Sequence, residues 1–147
     1  MNLIAVFLEN KPGQTARVTK VLAEAGVNLR WLIITNQGSF GVVKFLADKN
    51  QEAVQSLRRN GLLVSLLDVL AVEVPNQPGA LERVAECLGN NNVNIDSCSG
   101  FVAFDRAILI IEVRDIPLAR AVLEREGVRL LTEAEMLHLG KPSGKIE

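Results

Sequence analysis

The 147-residue chain reads as an α+β protein made of two βαββαβ units, each an antiparallel sheet with helices on one face. Three observations predict this. The first is a self-match without gaps. Pro12-Gly13 returns as Pro78-Gly79, 66 residues on, and the same offset carries Ala5-Val6 to Ala71-Val72, Asn10 to Asn76 and Arg17-Val18 to Arg83-Val84. It goes on through Leu22 and Leu88, Val27-Asn28 and Val93-Asn94, Ala53 and Ala119, Leu57 and Leu123, and Gly61 and Gly127. The second is hydrophobic periodicity that switches between strand and helix in the same order in both copies. The third is Gly, Pro and Asn at the same joints. The units are predicted at residues 1–68 and 69–138, with a short polar tail over 139–147.

The elements follow in order. Leu3 to Leu8 is a continuous apolar run of strand length, as is Val69 to Val74 with Glu73 as its polar break. An Asn/Pro/Gly segment then enters a helix. Its apolar face is read from Val18, Val21, Leu22 and Ala25 in the first copy, and from Leu81, Val84, Ala85 and Leu88 in the second. The first helix closes at Gly26 and its counterpart at Asn92, the two residue types that best tolerate a left-handed cap. Val27 to Thr35 and Phe40 to Leu46 form a hairpin across Asn36-Gln37-Gly38-Ser39; the second copy has Val93 to Phe104, Asp105-Arg106, then Ala107 to Val113. A second helix spans about Asn50 to Asn60, and its repeat starts at Asp115, a good N-cap, with Pro117 in the first turn. Gly61 and Gly127 end these helices. Last come strands Leu62 to Leu67 and Val128 to about Leu137. The order is ferredoxin-like, twice.

Composition narrows the functions. Hydrophobic residues at 48% and charged residues at 22% describe a folding chain, not a disordered one. A net charge of −1 supplies no attraction to phosphate backbones or anionic lipid, so neither nucleic acid nor membrane is expected as a partner. No apolar stretch reaches the roughly 20 residues of a membrane span. MNLIAVFLENK lacks the basic region and cleavage site of a signal peptide, so a cytoplasmic location is expected. Two cysteines and one histidine, His138, make no metal centre, and no catalytic set or cofactor motif can be assembled. No enzyme activity, metal or cofactor is expected. Cys87 reads as a small core residue, Cys98 as structural, and Trp31 as a packing residue. Phe40-Gly41-Val42-Val43-Lys44-Phe45 partly matches an RNA-recognition strand. It lacks the leading basic residue and a stacking ring at Val42, and its repeat, Ala107 to Ile111, has no ring.

The best site candidate is the strand-to-helix loop, Glu9 to Thr15 and Pro75 to Leu81. The first N–H groups of a helix have no intrahelical partner and sit at the positive end of its dipole, which suits a carboxylate. Glycine admits a ligand close to the backbone, and Asn offers both donors and an acceptor. The plainer reading is a helix-capping Asn in a tight turn.

Asn-x-Pro-Gly at this junction, in E-N-K-P-G-Q and P-N-Q-P-G-A, followed by an amphipathic helix ending in G-V-N or N-V-N, resembles the ACT domain, a small-molecule-binding module. The resemblance spans about residues 1 to 138 and implies a tandem ACT protein with no catalytic domain attached. It implies an amino acid ligand held between the strand-1/helix-1 loop of one unit and strand 2 of a neighbour. The loop residues are then Asn10, Pro12, Gly13, Gln14 and Thr15, with Asn76, Pro78, Gly79, Ala80 and Leu81. The strand-2 residues are Asn28, Leu29 and Arg30, with Asn94, Ile95 and Asp96. Asn92 departs from the usual helix-ending glycine, so the two sites need not be equivalent. A sensor of amino acid metabolism is expected. The alternative is a regulatory subunit in contact with a biosynthetic enzyme, similar to the acetolactate synthase small subunit. An apolar edge at Leu62 to Leu67 predicts a homodimer.

Overall fold

The computed structural model describes residues 1–103 and 105–139, which divide into two units, Asn2–Leu67 and Asp68 onward with Met1. In the first, β1 (Asn2–Glu9), α1 (Gln14–Glu24), β2 (Leu29–Gln37), β3 (Phe40–Ala47), α2 (Asn50–Arg59) and β4 (Leu63–Asp68) follow one another. In the second come β5 (Leu70–Pro75), α3 (Ala80–Asn90), β6 (Ser97–Ala103), β7 (Arg106–Glu112), α4 (Ile116–Arg125) and β8 (Arg129–Leu131), then a further helix, α5 (Glu133–His138). The sheets have the orders β2-β3-β1-β4 and β6-β7-β5-β8. This is the doubled ferredoxin-like α+β fold.

Each core lies between a sheet and its two helices, and the cores are copies of each other. Ile4, Val6, Val18, Leu22, Phe45, Ala53 and Leu57 fill the first. Leu70, Val72, Val84, Leu88, Ile111, Ala119 and Leu123 fill the second at the same offset. Leu3, Ile4, Ala5 and Val6 are all buried, so β1 is covered on both faces, which is why it reads as an unbroken apolar run. A repeated strut joins the helices: Arg17 Nη2 donates to the Asn60 carbonyl at 2.7 Å, and Arg83 Nη2 to that of Glu126 at 3.0 Å.

Positive φ falls where a helix must end: Gly26 (65°) and Asn92 (58°) close α1 and α3, the one glycine-to-asparagine exchange keeping the same turn. Asp115 caps α4 by accepting the Leu118 N–H at 2.9 Å, with Pro117 in the first turn.

Three expectations need correction. The core face of α3 is Val84, Cys87 and Leu88 with Ala80, whereas Leu81 is half exposed and Ala85 is exposed. The repeat explains this, because Val18, Val21 and Leu22 stand at the same turns of α1. The last strand does not run to Leu137. β8 ends at Leu131 because Thr132 and Glu135 form a capping box that starts α5. His138 therefore sits at the end of a helix, its Nδ1 2.6 Å from the Ala134 carbonyl oxygen. β6 begins at Ser97, not Val93, and ahead of it Asn94 Nδ2 donates to the Asp96 carboxylate at 3.0 Å in a local side-chain turn. Phe104 and the tail beyond Leu139 lie outside the described residues.

Candidate functional site

The two loops share one backbone. After β1, the Lys11 N–H bonds the Glu9 carbonyl at 2.9 Å, the Gln14 N–H that of Lys11 at 3.3 Å, and the Arg17 N–H that of Gly13 at 3.0 Å. After β5, Gln77, Ala80 and Arg83 make the same three bonds, at 2.9, 3.3 and 3.0 Å. Gly13 (φ 87°) and Gly79 (φ 84°) are the N-caps, both left-handed, which a side chain would strain. Among the described residues, the N–H groups of Thr15 and Ala16 have no backbone acceptor, nor have those of Leu81 and Glu82. These are the donors that a carboxylate would meet.

Asn10 does not cap the helix. Its N–H donates to the Ser39 carbonyl at 2.8 Å and its Nδ2 to that of Gly38 at 2.9 Å, which ties the loop to the β2–β3 turn. Asn76 keeps the backbone half of this tie, its N–H donating to the Asp105 carbonyl at 3.0 Å. Glu9 and Lys11 pair with each other beside the first loop; the pairing lowers the Glu9 carboxyl and raises the Lys11 ammonium from their ordinary values.

Each loop borders a cavity of about 310 Å³, and the two cavities open differently. In the first unit it runs from the loop, including Asn10, Pro12, Gly13, Gln14 and Thr15, across to Ile34 and Asn36 of β2 and Gly41 of β3. In the second it turns the other way, from Pro78, Gly79 and Ala80 past Arg83 to Gly127 and Arg129 at β8. There Glu73 takes Arg106 at 3.0 Å and Arg129 at 3.1 Å, and Arg129 takes Glu135 at 3.0 Å. Neither Asn76 nor Leu81 lines the second cavity.

The strand-2 candidates lie elsewhere. Asn28, Leu29 and Arg30 stand at the opposite end of β2 from Ile34 and Asn36, and the Asn28 N–H is held by the Asp48 carboxylate at 2.9 Å. Asn94, Ile95 and Asp96 precede β6; Asp96 pairs with Arg114 at 3.8 Å, and Asn94 borders a separate hollow with Asp115. Ile34, Asn36 and Gly41 border the first cavity and were not among the expected residues. The signal was there in the hairpin: antiparallel register sets Asn36 opposite Gly41. Burial raises the Cys98 thiol above its ordinary value, and Cys87 packs on the second core. No cluster of metal-binding side chains occurs among the described residues, and no described helix is long and apolar enough to cross a membrane.

Comparison with known proteins identifies the fold and the family. Residues 1–139 match the family model of the ACT domain pair. The crystal structure of protein BT0572 from Bacteroides thetaiotaomicron is similar at 30% identity and a TM-score of 0.87, over 92% of this chain and 94% of that one. The regulatory subunit of aspartate kinase from Thermus thermophilus, in its ligand-free form, shares the fold at 21% identity and a TM-score of 0.64, over 86% and 90%. The corresponding subunit from Thermus flavus does so at 19% and 0.59, over 84% and 90%. The search of curated proteins gives no match. With its doubled fold, its paired loops and a family match along nearly its whole length, the chain belongs to the ACT domain pair family.

Proposed function

We propose that the chain is a non-catalytic sensor that binds a small amino acid and regulates an enzyme or regulator of amino acid metabolism, in the cytoplasm and as a homodimer. One observation carries the reading: a left-handed glycine opens α1 above a cavity, with the N–H groups of Thr15 and Ala16 free to receive a carboxylate. The ligand ammonium would turn to a carbonyl or side-chain oxygen of the same loop. The family match supports a regulatory role.

A second reading is a regulatory subunit that acts mainly by touching a catalytic partner. The exposed Leu63 and Leu66 on edge strand β4 favour it, and regulatory subunits of aspartate kinase share the fold. A thermal-shift screen of the twenty amino acids separates the two. A ligand specific to the native state stabilises it by about 2.7 kcal/mol at a hundredfold excess over Kd. A shift by one or a few amino acids is expected; no shift by any would leave the contact reading standing and end the sensor reading.

A further inference from the structure

The two units present the same backbone to a ligand but not the same side chains. In the first, the Asn36 Oδ1 occupies the place where a Cβ on residue 41 would stand, so the side chain can fold there because residue 41 is glycine. In the second, Val102 and Ala107 take these two positions, losing the amide and the space for it together. Ala80 and Leu81 likewise replace Gln14 and Thr15. Three of these four exchanges remove a polar side chain from the second unit, and the fourth, glycine to alanine, removes the space beside one.

The second unit's cavity has charged groups, but each already has a partner, and its one amide, Gln77, comes from the loop and not from a strand. Glu73 is shared by Arg106 and Arg129, and Arg83 is held by the Glu126 carbonyl. In the first unit, Gln14, Thr15 and Asn36 make no side-chain hydrogen bond among the described residues and all border the cavity. Its only charged lining residues, Glu9 and Lys11, neutralise each other. A charged ligand side chain would find no free counter-charge there, whereas a hydroxyl or amide finds both donor and acceptor at Asn36.

We infer that the discriminating site of this chain is the cavity of the Asn2–Leu67 unit, that Asn36, seated by Gly41, is its specificity-determining residue, and that it takes an amino acid with an uncharged hydrogen-bonding side chain. The inference rests on the sensor reading above and deepens it. Ile34 and Val43 line the same wall and supply the apolar contact beside the amide.

Isothermal titration of the full chain with near-isosteric pairs, threonine against valine and asparagine against leucine, tests it. The polar member of a pair should bind in preference, with one molecule per chain. Asn36→Val should weaken that ligand about tenfold or more, the worth of a hydrogen bond, and bring the preference within the pair close to unity. Gly41→Ala should do the same by displacing the amide. Its unliganded melting point should move little, because the displaced atom is the end of a flexible side chain and Gly41 has no positive φ. A ligand that binds with its preference intact in both variants overturns the inference and leaves the sensor reading untouched. So does preference for the apolar member, or two equal sites per chain. Failure of all twenty amino acids to bind overturns the sensor reading itself, and this inference with it.

Discussion

Gly13 and Gly79 owe their identity to backbone conformation as much as to any ligand. Nothing lies within 4 Å of a Cβ built at Gly13, so space is free there, but its φ of 87° strains any L side chain. Gly13→Ala should cost about 1–2 kcal/mol by urea denaturation without ligand. Gly89 is the contrast: it lies inside α3 with no neighbour near its Cβ and no positive φ. Gly89→Ala should stabilise by about 0.5–1 kcal/mol in the same assay. Substituting Gly13 thus adds backbone strain to whatever it does to the proposed ligand, and Asn36 is the cleaner position to change. Glu135 carries the pH response of α5. The Thr132 N–H, Arg129 and the Thr132 hydroxyl hold its carboxyl below the ordinary glutamate value of 4.5. A lowered acid contributes stability that is present above the unfolded value and lost as pH falls through the folded one. A carbon-13 titration of Glu135 should therefore give a midpoint below 4.5, and Glu135→Gln should remove that acid dependence.

At the scale of elements, caps decide where the chain changes course. Asp115 and Thr132 each accept the backbone N–H of the third residue of the next helix, and α5 has a full capping box. Thr132→Ala and Asp115→Ala should each cost about 1 kcal/mol. Hydrogen exchange should place the loss of Thr132→Ala in Glu133–His138 and that of Asp115→Ala in the first turn of α4. The sequence carries both signals in equal clarity. Asp115 was legible because Pro117 and a helical face follow it. Thr132-x-x-Glu135 was overridden by the β-rich run Val128 to Leu131 before it, and the strand was read through to Leu137. On α3 the i, i+3, i+4, i+7 spacing fits Leu81, Val84, Ala85 and Leu88 more closely than it fits Ala80, Val84, Cys87 and Leu88, and only packing separates the two faces. Leu81 is apolar and half exposed, while its neighbour Ala80 packs on the core.

For the whole molecule, the exposed edge of the first sheet bears on assembly. β4 is the edge of the first sheet, and its Leu63 and Leu66 are 68% and 52% exposed, more than an isolated soluble edge strand usually tolerates. Sedimentation at micromolar concentration should show a species of about twice the 16.0 kDa chain, and Leu63→Lys with Leu66→Lys should shift it to one chain. A single-chain species in the unaltered protein would remove the dimer from the proposal.

The fold was written locally. Period, joint residues and a 66-residue self-match are properties of neighbours along the chain, so the doubled βαββαβ order, the closing turns at Gly26 and Asn92, and the two loops were all visible without coordinates. Which side chains reach each cavity was not. Asn36 meets Gly41 through strand register, Asn10 reaches Gly38 across 28 residues, and Glu73 gathers Arg106 and Arg129 from two other strands. Each of these depends on which strand lies beside which. The repeat made the loops alike, and the side chains brought to them from distant strands made the cavities unlike.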